Sequence, residues 1–156
     1  MITPPVGKFI LEEGDMRPAV FLVGGVGITP VRSMLCDVSL EGSERKIILL
    51  YANRTLADAP FVDELRSLKL KNLRYVDVLS QEPSPSQGEL DERGYIDRAQ
   101  VEKQVDNPAE CVYYIVGSPS FIAGMEALLD TLGVPADQRH KDPFTGLGSI
   151  NPESIR

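Results

Sequence analysis

The stretch that decides the fold is AVFLVGGVGITP, residues 19–30. Its first five residues are continuously apolar and have the length of a buried strand. The pair Gly24-Gly25 ends that run, and apolar residues then recur at helical spacing from Val31. The stretch therefore predicts a buried strand, a tight glycine turn and a helix with one apolar face.

The same alternation of apolar strand and amphipathic helix continues along the chain. Further strands are predicted at 46–52, 73–79 and 112–116, helices around 60–68, at 97–105 and at 121–132, an exposed loop at 80–93, and a short strand near His140–Phe144. Asp97 is the expected N-cap of one helix, and Gly133 the expected end of another. Strands that are apolar throughout require cover on both faces. We therefore expect an α/β fold, a doubly wound and mostly five-stranded parallel sheet.

The glycine turn has the chemistry of a phosphate site. Without bulky side chains, its backbone amides can approach a ligand closely. Thr29 is the expected N-cap of the following helix, with Pro30 as its first residue. The positive end of that helix would suit a pyrophosphate. The alternative is that Gly24 and Gly25 only tighten a turn.

The end of the second strand departs from the usual dinucleotide fingerprint. That fingerprint places an acid there to hold the ribose hydroxyls, but this chain has Asn53-Arg54-Thr55. An arginine in that place can pair with a 2′-phosphate, which favours NADPH. The alternative is a solvated loop arginine, so the choice between NADH and NADPH stays open.

Composition excludes several classes of partner. The chain has 156 residues, enough for one domain, and a net charge of −7, which disfavours nucleic acid. No apolar run approaches the roughly 18 residues of a membrane span, and the amino terminus has no signal-peptide pattern, so a cytoplasmic location is expected. The two cysteines, Cys36 and Cys111, lack CxxC spacing and are predicted to be small buried side chains.

Three motifs, in this order, resemble the C-terminal NAD(P)-binding domain of the ferredoxin–NADP reductase superfamily. Residues 24–30, GGVGITP, resemble its pyrophosphate turn. Residues 51–55, YANRT, resemble the segment that borders the adenosine ribose. Residues 112–121, VYYIVGSPSF, resemble a motif near the nicotinamide. The resemblance extends from about residue 18 to residue 146 and implies a Rossmann-like, ferredoxin reductase-type nucleotide domain.

The resemblance implies a flavin-dependent oxidoreductase, in which NAD(P)H on this domain delivers hydride to FAD or FMN on another. It also implies two partners: a flavin-binding domain, in the same or a separate chain, and a downstream electron acceptor protein. The implied cofactor-binding residues are Gly24, Gly25, Val26, Gly27, Ile28, Thr29 and Pro30 for the pyrophosphate, Asn53, Arg54 and Thr55 for the ribose, and Gly117, Ser118, Pro119, Ser120 and Phe121 for the nicotinamide side. No catalytic side chain or metal ligand is implied.

The first residues also resemble part of that family. Residues 5–11, PVGKFIL, resemble the last strand of its flavin-binding barrel. The expected division is a barrel remnant and linker at 1–17, the nucleotide domain at 18–147 and a tail at 148–156. We expect an excised domain rather than a separately encoded subunit, and one that reduces nothing by itself.

Two departures from the family pattern concern the flavin side. Val116 stands where many relatives have a cysteine beside the nicotinamide, and Phe144 and Leu147 stand near the place of a flavin-stacking aromatic. One alternative function is a non-catalytic nucleotide-binding or electron-transfer subunit of a larger redox complex. A flavin-independent dehydrogenase would need a substrate domain, for which 156 residues leave no room.

Overall fold

The apolar runs of the sequence form four strands of one six-stranded parallel sheet. The structure, a computed structural model, describes residues 16–25, 28–41, 45–55, 57, 61–67, 72–81, 91–93 and 95–143. Its strands are β1 (Ala19–Gly24), β2 (Ile47–Asn53), β3 (Leu73–Leu79), β4 (Asp91–Arg93), β5 (Val112–Gly117) and β6 (Arg139–Pro143). Its helices are α1 (Ile28–Glu41), α2 (Val62–Arg66), α3 (Arg98–Gln104) and α4 (Pro119–Thr131), with short 3₁₀ turns at Pro108–Glu110 and Ala136–Gln138.

The strand order is β4-β3-β2-β1-β5-β6, and every neighbouring pair is parallel. One buried cluster joins α1 and α2 to the sheet through Val31, Leu35 and Leu65. A second cluster joins α3 and α4 to the opposite face through Val101 and Leu129. The sheet is thus covered on both faces, which confirms the predicted doubly wound α/β fold.

The order of the strands reverses between β1 and β5. From β1 the chain adds β2, β3 and β4 on one side, and then returns to add β5 and β6 on the other. In open sheets of this kind, the crossovers diverge at the reversal and leave a crevice outside the carboxyl ends of the strands. The turns after β1 and β5 lie at that crevice.

Two helices begin earlier than predicted. Helix α1 starts at Ile28, so Thr29 lies inside its first turn and is not the N-cap. Pro30 is still tolerated there, because the first-turn N–H groups of a helix have no partner within it. Helix α4 starts at Pro119, two residues before Phe121, because the Ser118 side chain caps it by accepting a hydrogen bond from the Phe121 amide at 3.1 Å.

The predicted loop at 80–93 is wrong at its end. Residues Asp91–Arg93 form β4, which pairs with the last residues of β3 in the register Asp77↔Asp91. The segment 91–93 carries no apolar run, so its strand depends on pairing with an existing edge rather than on its own sequence. The sheet therefore has one short edge strand beyond the expected five.

Other predicted boundaries are confirmed. The Asp97 side chain accepts a hydrogen bond from the Gln100 amide at 2.9 Å and caps α3. Gly133 ends α4 in the left-handed conformation, with φ 76°, and the short strand near His140 is β6. The predictions for residues 1–15, Pro60, Leu68 and 144–156 lie outside the described residues.

Candidate functional site

The carboxyl ends of β1, β2 and β5 bring three separate parts of the sequence to one edge of the sheet. The register pairs Gly24 with Ala52 across β1 and β2, and Val23 with Val116 across β1 and β5. The predicted site residues follow these strand ends in three turns, which we call the first turn (24–30), the second turn (53–55) and the third turn (117–121). Parallel strands explain the convergence, because their carboxyl ends share an edge.

The first turn leaves open space beside Gly25. Its φ of 56° is left-handed, and a β-carbon added there would meet no heavy atom of the other described residues within 4 Å, its two chain neighbours aside. Ile28 is fully buried in the core, so it can offer a ligand only its backbone. Thr29 is exposed, and the first-turn amides of the 14-residue helix α1 lie beside it. Such amides form an anion site. Val26 and Gly27 lie outside the described residues.

The second turn is tied to the end of β3. The Ser80 amide donates to the Asn53 carbonyl at 3.1 Å, and the Gln81 amide donates to the Arg54 carbonyl at 2.8 Å. The Arg54 side chain is exposed and Thr55 is half-buried. The strand end is therefore fixed by backbone contacts, while the Arg54 side chain reaches solvent.

Asn53 carries a buried polar atom that suits a polar ligand. Among the described residues, its Nδ2 is buried and has no partner that meets hydrogen-bond geometry. Burial raises the pKa of the neighbouring Tyr51 far above its ordinary range, and the Asn53 amide is close enough to oppose that rise. A ribose hydroxyl could accept from this donor, so the residues fit the group that the sequence predicts.

The third turn presents small polar residues at the start of α4. Ser118, Pro119 and Ser120 are exposed, and the two serine hydroxyl oxygens lie 3.2 Å apart. Gly117 is buried and ends β5. The turn is therefore held by the cap of α4 and leaves Ser118, Pro119 and Ser120 accessible to a ligand.

Phe121 accounts for the glycines at two of these positions. A β-carbon on Gly24 would lie 3.1 Å from the Phe121 ring, and one on Gly117 would lie 2.6 Å from it. A side chain at Gly117 would therefore force a shift, and one at Gly24 would be tight against the ring. Both glycines were predicted from the sequence to bind the ligand, and their packing was missed; the signal was an aromatic residue four positions after Gly117.

A buried ion pair under the second turn was also missed. Asp77 is 1% exposed, accepts from the Tyr75 hydroxyl at 2.5 Å, and pairs with Arg66 of α2 at 2.5 Å. Burial, followed by the charge of Asp77, raises the pKa of Tyr75 far above its ordinary range. The sequence signal was an acid among the apolar residues in the second half of β3.

Helix α2 is held against α1 by a second contact. The Arg32 guanidinium lies 4.8 Å from the centre of the Phe61 ring and 2.6 Å from the Glu64 carboxylate. Phe61 was predicted to lie within the helix around 60–68. It instead precedes α2 in the left-handed conformation, with φ 62°. Both contacts fix the element that follows the second turn.

Other chemistries have little support in the part of the chain that the structure describes. No group of three or more metal-ligating side chains occurs there, and none of its helices has the length and apolarity to cross a bilayer. Both cysteines are free; Cys111 is buried, as predicted, and Cys36 is half-buried. Burial raises the pKa of the Cys111 thiol to about 11, which makes it a poor nucleophile.

One cavity lies away from the three turns. It has a volume of about 270 Å³ and is bounded by residues at the amino ends of β1, β2 and β5, including Pro18, Lys46 and Cys111. Ligands of doubly wound sheets bind at the carboxyl ends of the strands. We therefore place the candidate site at the three turns and not in this cavity.

A doubly wound parallel sheet with glycine turns at its strand reversal defines the dinucleotide-binding class of domains. A sequence profile of the oxidoreductase NAD-binding domain family matches residues 21–127. The chain belongs to this family.

Relatives with known roles are longer than this chain. It is 32% identical over 148 residues to the reductase component of propane 2-monooxygenase from Rhodococcus jostii, covering 92% of this chain and 40% of that one. It is 31% identical over 152 residues to a flavohemoprotein from Oceanobacillus iheyensis, covering 96% and 36%. The chain thus spans about two fifths of the length of these relatives.

A solved structure agrees with the sequence relatives. Flavohemoglobin from Malassezia yamatoensis, determined with bound FAD and heme, superposes with a TM-score of 0.72 at 26% identity. The match covers 89% of this chain and 34% of that one. The similarity is therefore to one part of a larger redox protein.

Proposed function

We propose that this chain is the NAD(P)H-binding part of a flavin-dependent oxidoreductase and presents reduced nicotinamide to a flavin on another domain. The observation that carries the proposal is the open, left-handed first turn at Gly25. It lies at the strand reversal, beside the backbone amides that begin helix α1. Membership of the NAD-binding family and the flavohemoprotein relatives support it.

The protein's share of the reaction is binding and orientation. When bound, the cofactors supply the redox chemistry, which is hydride transfer from C4 of the nicotinamide to N5 of the flavin. In the proposal, the backbone amides at the start of α1 bind the pyrophosphate, and Asn53 Nδ2 donates to the adenosine ribose. Ser118 and Pro119 line the part of the site that holds the nicotinamide. No residue needs to act as a general base.

Other features of the whole protein belong to the same proposal. The nucleotide domain would extend over residues 18–147, preceded by the end of a flavin barrel and followed by a tail. FAD is the flavin that we expect, as in the flavohemoglobin structure. An electron acceptor protein would receive electrons from that flavin, and the assembly would work in the cytoplasm.

Arg54 is the proposed determinant of coenzyme choice. It is exposed at the second turn, where its guanidinium could pair with a 2′-phosphate. Calorimetry with NADH and NADPH on the wild type and Arg54→Ala tests this role. We expect the substitution to weaken NADPH binding by about 1.5–3 kcal/mol, as for a lost charge-assisted contact, and to leave NADH binding unchanged.

The matched control is Arg98→Ala, which removes an exposed arginine from α3, where it pairs with Glu102. Equal NADPH affinity in wild type and Arg54→Ala would remove the 2′-phosphate role but not the nucleotide site. Failure of the wild-type chain to bind either coenzyme would overturn the proposed function. A non-catalytic subunit would bind coenzyme but would not support flavin reduction when combined with its flavin domain.

A further inference from the structure

The two glycines that end β1 and β5 lie under opposite edges of one aromatic ring. A β-carbon on Gly24 would meet Cδ1 of Phe121 at 3.1 Å, and one on Gly117 would meet Cδ2 of the same ring at 2.6 Å. The ring therefore contacts the start of the first turn and the start of the third turn together. Real β-carbons almost never approach within 3.0 Å, so a side chain at Gly117 would displace the ring.

The ring is anchored to the third turn and the sheet. The Phe121 amide donates to the Ser118 hydroxyl at 3.1 Å, and this hydrogen bond fixes the start of helix α4. The side chain is half-buried and packs against the apolar cluster that joins α4 to the sheet. The strand ladder already fixes the end of β1 beside β5, so a ring held in this way fixes where the start of α4, and with it the third turn, lies relative to the first turn.

We propose that Phe121 is a positioning residue that sets the separation between the first and third turns, so that one dinucleotide can contact both. The inference rests on the proposed function, because it requires the pyrophosphate at the first turn and the nicotinamide at the third. A ligand that bridges two subsites gains affinity only when their separation matches its own length. A ligand that uses the first and second turns alone does not depend on that separation.

Comparing the affinities of NADH and ADP-ribose distinguishes this positioning role from a general effect on stability. ADP-ribose contains the adenosine, the diphosphate and a ribose, but lacks the nicotinamide. For Phe121→Ala we expect NADH binding to weaken about ten-fold, since small displacements of a positioned group have effects of that order or larger. ADP-ribose binding should change less than about two-fold. If wild type prefers NADPH, the same comparison uses NADPH and 2′-phospho-ADP-ribose, and calorimetry measures both affinities.

The control variant is Leu128→Ala. Leu128 lies on the same helix and packs against the same cluster, but about two turns beyond Phe121. It removes apolar volume without touching either glycine, so both affinities should stay at the wild-type value. Equal weakening of NADH and ADP-ribose in Phe121→Ala, or no weakening of either, would overturn the inference. Failure of wild type to bind either NADH or NADPH would instead overturn the proposed function.

Phe121→Leu covers the case in which Phe121→Ala does not fold, and Gly117→Ala tests the contact with the ring when it does. Phe121→Leu keeps apolar volume while removing the flat ring, and should show a smaller loss specific to NADH. Gly117→Ala should weaken NADH binding in the wild-type background, where its β-carbon meets the ring. With Phe121→Ala also present, the nearest remaining side-chain atom is Cβ of residue 121 at 3.3 Å, so the added loss should be small. If Gly117→Ala weakens NADH binding equally in the wild type and in Phe121→Ala, the contact between Gly117 and the ring does not affect binding.

Discussion

Gly25 and Gly124 are two glycines with open space around them and different backbone conformations. Gly25 has a φ of 56° in the first turn, whereas Gly124 lies inside α4 and has no left-handed φ. We expect Gly25→Ala to cost about 1–2 kcal/mol of stability through strain. The added methyl would also occupy the space beside the turn, and should weaken coenzyme binding about ten-fold, or about 1.4 kcal/mol.

Gly124→Ala is the matched control for that variant. It adds the same methyl group but removes a flexible residue from a helix interior, and should stabilise the protein by about 0.5–1 kcal/mol. Urea denaturation measures the free energy of unfolding, and calorimetry measures the affinity. Unchanged coenzyme affinity in Gly25→Ala would show that the first turn does not approach the ligand.

The Cys111 thiol predicts how stability depends on alkaline pH. Burial is the main cause that raises its pKa from 9.0 to about 11; Glu110 and Asp106 add to the rise and Lys46 opposes it. Below pH 9 the thiol is protonated in both the folded and the unfolded chain. Between pH 9 and pH 11 it ionises mainly in the unfolded chain, so the folded state loses stability as pH rises.

The measurement is the difference in unfolding free energy between wild type and Cys111→Ala across pH 8–11. The difference removes the contribution of buried tyrosines that do not interact with Cys111; Tyr113, whose pKa is raised by burial and then by the charge of Cys111, contributes to the difference in the same direction. We expect wild type to lose about 2 kcal/mol more than the variant over this interval. Parallel curves for the two proteins would mean that Cys111 is not shielded from solvent.

Helix α2 depends on contacts outside itself, because five residues are too few for a stable isolated helix. Its Arg66 pairs with the buried Asp77. Arg66→Ala would leave Asp77 buried without this partner, and we expect a loss of about 2–4 kcal/mol, below the full value for a buried pair because Arg66 is a third exposed.

The control for Arg66→Ala is again Arg98→Ala, which breaks an exposed pair within α3 and should change stability by less than about 0.5 kcal/mol. Urea denaturation compares the two variants. Equal small losses would mean that solvent replaces Arg66 at Asp77. A further loss of NADPH affinity in Arg66→Ala alone would show that α2 also supports the second turn.

Elements that depend on local sequence could be predicted, and elements that depend on distant contacts could not. β3 was predicted with its observed bounds, Leu73–Leu79, because most of its residues are apolar and those from Tyr75 onward are buried. β4 was not predicted, since its three polar residues form a strand only beside β3. Phe61 has a left-handed conformation that accompanies its contact with Arg32, and nothing in its neighbours in sequence indicates it.

The same distinction applies to the candidate site. The three turns could be predicted because each follows an apolar strand, and parallel strands place those ends together. The packing of Gly24 and Gly117 could not, because the ring that lies against them comes from α4. Ile28 was predicted to contact the cofactor, but its side chain belongs to the core, and only its backbone remains for a ligand.

The site as a whole exists only when the sheet is folded. Its turns come from residues 24–30, 53–55 and 117–121, which are far apart along the chain and adjacent only at the carboxyl edge. An unfolded chain therefore offers no coenzyme site, so binding must stabilise the folded state by mass action. At a coenzyme concentration of about 100 times Kd, we expect the free energy of unfolding to rise by about 2.7 kcal/mol.

Urea denaturation with and without the preferred coenzyme measures this coupling on the full chain. The same fixed concentration should stabilise Gly25→Ala less than wild type, because its Kd is higher, while Gly124→Ala should gain as much as wild type. Binding seen by calorimetry without any shift of the urea midpoint would place the ligand on a segment that binds it equally well when unfolded. That result would separate coenzyme binding from the strand reversal between β1 and β5, where the first and third turns meet.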